Sequence, residues 1–290
     1  MLEKLLDTIA SYKVLMVGDS IMDEYHYVHP LGKASKESIL ATRFDAKESF
    51  AGGVWAAAEH VKGFCAQVDV YQGAKQTIKR RFVDRGYLRK LFEVHYEREN
   101  NTPKFPDPAG YDLVIVTDFG HGCVTPEIIQ KLTRDAKFLA VNAQSNSSNY
   151  GFNLITKYTR ADYVVIDEPE AWLAAQDRDS SIETIIRKLG YPKIIVTQGP
   201  NGSTGWNGKD FWHLPSSATR IVDTMGAGDA FLAVTAPLAA AGASIDLLCE
   251  VGNAAGAIKC ATVGHRTPVT KAALLAGLLE SPHPAQAEHS

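Results

Sequence analysis

The sequence predicts an α/β fold built on a mostly parallel sheet, and three observations predict it. Short apolar runs recur along the chain, helical segments separate most of them, and most of the runs end in a polar residue. Such continuous runs suit strands covered by helices on both faces, in sheets whose ligands gather at the carboxyl ends of the strands. With 290 residues the chain is long enough to bury a full core of this kind.

The elements follow in order. MLEKLLDTIASYK reads as an amphipathic helix feeding a first strand, VLMVG at 14–18. Further buried strands are expected at VDVYQ (68–72), LVIVTD (113–118), FLAVN (138–142), YVVID (163–167) and IIVTQG (194–199). Their ends read Gly18-Asp19, Asp118, Asn142, Asp167-Glu168 and Thr197-Gln198-Gly199. One strand-end aspartate is commonly just a helix cap, but the recurrence suggests one site along one sheet edge. Segments 25–50 and 77–100 break the rhythm. The second reads as two strands around an Asp84-Arg85-Gly86 turn, and together they suggest a small β-lid inserted into the core. Lys79, Arg80, Arg81, Arg85, Arg89 and Lys90 load this lid with charge, either to hold a phosphorylated substrate or as a solvated strand face that blocks edge pairing. From Ala230 onward alanine dominates, as in close-packed helices. The expected layout is one domain over 1–280 with the lid inserted, then a disordered polar tail, SPHPAQAEHS, at 281–290.

Composition excludes several function classes. A net charge of -3 favours neither nucleic acid nor an anionic membrane as a bulk partner. Four scattered cysteines without a CxxC pair argue against a zinc site or disulfide framework and for a reducing cytoplasm. The N-terminus lacks the uninterrupted apolar stretch of a signal peptide, and no apolar run is long enough to span a bilayer, so a soluble cytoplasmic protein is expected.

Chemistry concentrates in Asp223-Thr224-Met225-Gly226-Ala227-Gly228-Asp229-Ala230-Phe231. Small residues at 226–228 let backbone N–H groups approach an anion at a helix N-terminus. A carboxylate beside an anion site is repulsive unless it takes a proton from a nucleophile attacking a phosphoryl group, which is the role Asp229 suits; the plainer alternative is a helix-capping aspartate.

This string resembles the DTxGAGDxF signature of the ribokinase-like (PfkB) family of sugar and nucleoside kinases. The resemblance implies a three-layer α/β/α core with a small β-lid, ATP and Mg2+ as cofactors, Asp229 as catalytic base and Gly226, Ala227 and Gly228 as anion hole. It extends along most of the chain. Asp19, with Asp23 assisting, falls where the family binds sugar hydroxyls. Gly52 and Gly53 match its glycine substrate motif, although Ala56 replaces the expected Asn and Trp55 a small residue. Asp167 and Glu170 match the NxxE motif that organises magnesium, with Asp in place of Asn. Thr197, Gly199 and Gly202, with Thr224, imply a nucleotide-phosphate loop, Asn253 an adenine neighbour, and Gly264 a loop for a monovalent cation such as K+ beside Asp223. No GxxxxGK[ST] motif is present, which disfavours a P-loop kinase.

Motif order is most similar to the heptose-phosphate kinase branch, with Arg81 and Asp118 then expected at the substrate. Two departures stand out: His121 replaces a lysine in TDFGHG, and Asn142-Ala143-Gln144-Ser145 replaces DPKG. The expected activity is ATP-dependent phosphorylation of a sugar or sugar phosphate. The alternatives are a nucleoside or unphosphorylated-sugar kinase and a catalytically degenerate sugar-binding regulator. Family analogy adds a homodimer through the β-lid. It also adds a partner nucleotidyltransferase, since no HxGH motif of that activity occurs here.

Overall fold

The computed structural model describes residues 1–99, 103–146, 149–262 and 267–280. The tail 281–290 and the loop residue Gly264 lie outside that range. In chain order the strands are β1 (Lys13–Gly18), β2 (Ser20–Lys33), β3 (Leu40–Gly53), β4 (Gln67–Tyr71), β5 (Lys75–Asp84), β6 (Arg89–Glu99), β7 (Leu113–Asp118), β8 (Leu139–Ala143), β9 (Tyr163–Asp167), β10 (Ile194–Thr197), β11 (Ser203–Trp206) and β12 (Phe211–Leu214). The helices are α1 (Leu2–Ile9), α2 (Val54–Lys62), α3 (Pro126–Asp135), α4 (Glu168–Ala175), α5 (Ile182–Leu189), α6 (Ala227–Ala240), α7 (Ile245–Cys260) and α8 (Lys271–Glu280).

Eight strands form the main sheet in the order β12-β11-β10-β9-β8-β7-β1-β4. The six strands from β4 to β10 run parallel, and β11 and β12 add antiparallel at one edge. Alternate residues serve opposite layers, as strand periodicity requires. Val14 and Met16 join α1, α2, α6, α7 and α8 on one face, whereas Leu15 and Val17 join α3, α4 and α5 on the other. This is the expected three-layer α/β/α core.

The small residues of α6 and α7 let these helices approach closely. A Cβ at Gly252 would lie 2.2 Å from the Phe231 ring, so α7 can sit against α6 only with glycine there.

A second sheet has the order β3-β2-β5-β6. Its strands start at the end of β1 and run from Ser20 and Leu40, so the irregular segments contain longer strands than the sequence suggests. In-register pairing puts Asp23 beside Lys79 and Tyr25 beside Arg81, on one face. That face meets the main domain where Tyr25 Oη donates to Met225 Sδ at 3.5 Å. The opposite face carries Arg80, which donates to Glu24 at 2.7 Å, and the exposed Phe44, Phe92 and Val94. The β11–β12 hairpin is the other element absent from the sequence reading. Its strands are four residues each and mix Gly, Ser and Trp, so they give no alternating signal.

Candidate active site

The parallel strands end in the loops from which the site is built. A cleft of about 570 Å3 opens between the ends of β8–β10 and the start of α6. It brings together Asp167, Glu170, Thr197, Gly199 and Gly202 with Thr224, Gly226, Ala227, Gly228, Asp229 and Asn253. Asp19, Asp23, Gly52, Gly53, Arg81 and Asp118 are not part of its wall.

Gly226 precedes α6 with φ of 76°, a left-handed conformation that glycine adopts without strain. The Ala230 amide donates to Gly226 O at 2.9 Å and that of Ala227 to Thr224 O at 3.3 Å. The amides of Gly228 and Asp229 lie in the first turn, where no carbonyl four residues back belongs to the helix, so they remain available to an anion. Asp229 is 6% exposed, and Gln144 Nε2 donates to its Oδ1 at 2.6 Å. Burial raises its pKa to about 6, while Gln144 and Lys259 act in the opposite direction.

Asp167 and Glu170 form a reciprocal cap on α4. The Glu170 amide donates to Asp167 Oδ1 at 2.8 Å, and the Asp167 amide to Glu170 Oε2 at 2.9 Å. Both acids therefore cap the helix. Yet Glu170 is also buried on the cleft, where Oε1 accepts from the Ser145 amide at 3.0 Å. Burial and the neighbouring Asp167 raise its pKa, so a cation would relieve it. Asn142 Oδ1 and Ser145 Oγ are buried nearby without hydrogen-bond partners among the described residues. Hard, incompletely satisfied oxygens of this kind fit a Mg2+ that keeps its waters and shares phosphate oxygens. No cluster of three or more His, Cys, Asp or Glu exists among the described residues to hold a metal by itself.

Around the turn after β10 the geometry is backbone-dominated. Gly202, with φ of 91°, lies so close to β12 that a Cβ would be 1.9 Å from Leu214 O. Asn253 Nδ2 donates to Leu214 O at 3.3 Å and Pro215 O at 3.0 Å, pinning that segment to α7 at the cleft edge.

On the other side of the strand ends, two residues expected at the substrate are held by the protein's own groups. Asp19 is 2% exposed and its carboxylate accepts three backbone N–H groups: Phe119 at 2.8 Å, His121 at 3.2 Å and Cys123 at 2.9 Å. Asp118 is 1% exposed and accepts from Gly120 N at 3.0 Å, Tyr158 Oη at 2.5 Å and Lys157 Nζ at 2.5 Å. Both carboxylates help to hold the 118–123 loop. Gly52 and Gly53 are buried in β3, where the Gly53 backbone, φ 59°, passes over Asp19 O. Trp55 packs at the core margin and donates to Gln72 at 2.7 Å.

Arg81 likewise has partners within the second sheet. It is buried, donates to Asp23 Oδ1, and pairs with Glu93 at 3.2 Å, so its charge is already matched. Asp23 remains on the face toward Asp229, whose pKa it helps to raise.

Two residues near Asp229 had no place in the sequence reading. Gln144, part of the segment taken as a loss, contacts the carboxylate directly. Lys259, in the last turn of α7, is 1% exposed and lies in the field of both Asp223 and Asp229. Its signal was available: a lysine inside an alanine-rich apolar helix.

Solved structures with the same architecture include ribokinase from Thermotoga maritima, with a TM-score of 0.72 at 17% identity over 92% of this chain and 99% of that one. Arabidopsis thaliana ribokinase complexed with ribose and ATP gives a TM-score of 0.67 at 13% identity over 92% and 99%. The fold is therefore that of the ribokinase-like kinases. Residues 125–272, half of the chain, match the pfkB family of carbohydrate kinases, and the chain belongs to that family. It is thus a carbohydrate kinase, of a family that uses ATP and typically Mg2+. Curated relatives include the bifunctional protein HldE of Desulfatibacillum aliphaticivorans, 27% identical over 96% of this chain and 65% of that protein. HldE of Vibrio parahaemolyticus is 23% identical over 92% and 63%. The chain spans less than two thirds of the length of these relatives. No helix among the described residues is long and apolar enough to cross a membrane.

Proposed function

We propose that the protein transfers the γ-phosphoryl group of ATP to a hydroxyl of a sugar phosphate of the heptose-phosphate type, with Asp229 as general base. One observation carries this reading: a buried carboxylate in the first turn of α6, next to open amides and on the cleft wall. The acceptor hydroxyl gives its proton to Asp229 as it attacks. Gly228 and Asp229 N–H groups, with the Gly226–Ala227 turn, bind the charge that develops on the phosphoryl oxygens. Gln144 holds Asp229 in place. Thr197, Gly199, Gly202 and Thr224 line the nucleotide's phosphate track, and Asn253 borders the base. Asp23 orients the acceptor, and the second sheet excludes water from the reaction. Mg2+ bound with ATP supplies charge neutralisation at the phosphates, and Glu170 with Asp167 would hold its water shell.

Turnover should therefore depend on Glu170. Glu170→Gln keeps the side-chain size but removes the charge, and is expected to raise the Mg2+ concentration for half-maximal rate about tenfold or more. An unchanged Mg2+ titration would leave Glu170 with its capping role alone. Lys259 lies in the field of Asp223, which we read as balancing that carboxylate without K+; the loop residue Gly264 lies outside the described residues. Equal rates are expected in Na+ and K+ buffers, and several-fold activation by K+ would overturn this.

The test of the function is Mg2+-dependent ADP production across heptose and hexose phosphates, free sugars and nucleosides, with Asp229→Asn as blank. Turnover confined to phosphorylated sugars supports the proposal. Turnover confined to free sugars or nucleosides replaces the acceptor class, and ligand binding without turnover reduces the protein to a sugar-binding module. The bifunctional relatives support handing the product to a nucleotidyltransferase, as a partner or an adjoining domain.

A further inference from the structure

Gln144 bonds Asp229 directly, from Nε2 to Oδ1 at 2.6 Å, and both residues stand in the cleft wall. An amide can aim a carboxylate only if its own main chain is fixed. Gln144 lies one residue past the end of β8, so the strand itself does not hold it. Two hydrogen bonds do. Its amide N–H donates to Asp118 O at 2.8 Å, which carries the β7–β8 ladder one step further. Its carbonyl accepts from Asn153 Nδ2 at 3.1 Å.

Asn153, in the connection between β8 and β9, is 5% exposed and is not part of the cleft wall. Its Nδ2 also donates to Asp118 O at 2.8 Å and lies 3.2 Å from Asp118 Oδ1, while its Oδ1 accepts from Lys157 Nζ at 2.5 Å. The position needs a donor toward two carbonyl oxygens and an acceptor toward an ammonium, and an asparagine side chain supplies both. Room is kept for it by Gly120, φ 71°, where a Cβ would lie 2.9 Å from Asn153 Cγ. Tyr158 and Lys157 anchor the Asp118 carboxylate in turn. A continuous hydrogen-bonded line therefore runs from the buried Asp118 through Asn153 and the main chain of Gln144 to Asp229.

We infer that Asn153 is a positioning residue for the Asp229 carboxylate: it fixes the Gln144 main chain, and the Gln144 side chain in turn sets which way the carboxylate faces. With Oδ1 engaged by Gln144, Oδ2 is the oxygen left to take the acceptor's proton. The inference rests on the reading of Asp229 as base and adds to it a residue outside the cleft. A glutamine directs the carboxylate without neutralising it, so the group keeps the charge that a base needs. The charged groups facing Asp229 are Lys259 from α7, Asp23 and Lys79 from the second sheet, and Glu170 from α4. These set the field around the carboxylate, whereas Gln144 sets its direction.

The test is a double-mutant cycle of Gln144→Ala and Asn153→Ala, read by steady-state kinetics, by melting temperature and by a carbon-13 NMR titration of the Asp229 carboxyl. That signal is assigned by its loss in Asp229→Asn. Gln144→Ala is expected to lower kcat about 10- to 100-fold, the scale of a group misplaced by about 1 Å, with KM for ATP within a few-fold of wild type. It should also move the carboxyl titration to higher pH, because a hydrogen bond that favours the ionised form is lost. Asn153→Ala should do both to a smaller extent. In the Gln144→Ala background it should change neither any further, although its cost in Tm persists. A merely structural Asn153 gives another pattern: the same loss of kcat in both backgrounds, or a fall in Tm with kcat and the titration unmoved. Either result overturns the inference. Should Asn153→Ala not fold, Asn153→Ser, which keeps one donor, carries the same comparison. Failure of the base reading has a separate signature. Coupled shifts in the titration, with wild-type-like turnover in Asp229→Asn or no turnover on any acceptor, keep the positioning and remove the chemistry.

Discussion

Asp229→Asn is expected to lower turnover by roughly 10²- to 10⁴-fold, the usual contribution of a general base, with ATP affinity within a few-fold of wild type. The amide cannot accept the hydroxyl proton, yet it keeps the size of the carboxylate and an oxygen for Gln144. A second consequence runs the other way. In the folded protein the Asp229 pKa is raised from 3.8 to about 6, chiefly by burial. A carboxyl that binds its proton more tightly when folded favours the fold below its unfolded value, and that contribution is lost as pH rises through about 6. Above that pH the ionised group is a burden of up to ~3 kcal/mol. The Asn variant should therefore melt higher than wild type at pH 8, with the difference disappearing below about pH 4. Turnover of wild type should fall on the acid side with an apparent pKa near 6, as the base becomes protonated. Wild-type-like turnover in Asp229→Asn would remove the residue from the chemistry. Loss of turnover with a lower melting temperature at pH 8 would instead point to a structural role.

This opposition of stability and activity marks the part of the site most legible in the sequence. Glycine at a left-handed position, open amides and a buried acid must be adjacent in the chain, because one helix start supplies them all. The parallel strands were legible for a similar reason. Val14–Val17, Leu113–Val116 and Val164–Ile166 are buried on both faces, so their apolar runs are unbroken. Partnerships across the fold were not legible. Arg81 and Lys79 are two residues apart on one strand and look interchangeable, yet only Arg81 meets Asp23 and Glu93. Gln144 read as a lost motif because its value lies in reaching Asp229, 85 positions away. Asp19 and Asp118 stand at the ends of β1 and β7, and nothing local reveals that backbone amides and a tyrosine bind their carboxylates.

Asp19 provides the sharpest contrast between the two readings. If it bound the acceptor's hydroxyls, Asp19→Ala would raise the acceptor KM and leave stability almost unchanged. The structure leads to the opposite expectation. Removing the carboxylate strips the Phe119, His121 and Cys123 amides of their acceptor in a buried setting. Unsatisfied buried donors cost about 1–3 kcal/mol each, so a loss of roughly 3 kcal/mol or more is expected, a fall in Tm of ~6 °C or more in a chain of this length. Burial and the Asp118 charge raise the Asp19 pKa to about 6, so Asp19→Asn, which retains one acceptor oxygen and removes the buried charge, should be more stable than Asp19→Ala above that pH. Loosening the 118–123 loop should change the KM for ATP little, because that loop is not part of the cleft wall carrying Glu170, Gly202 and Asn253. Loss of acceptor affinity in both variants at an unchanged Tm would return Asp19 to the substrate. A large fall in Tm that Asp19→Asn partly recovers would make the aspartate the clamp that keeps the acceptor side of the cleft in shape.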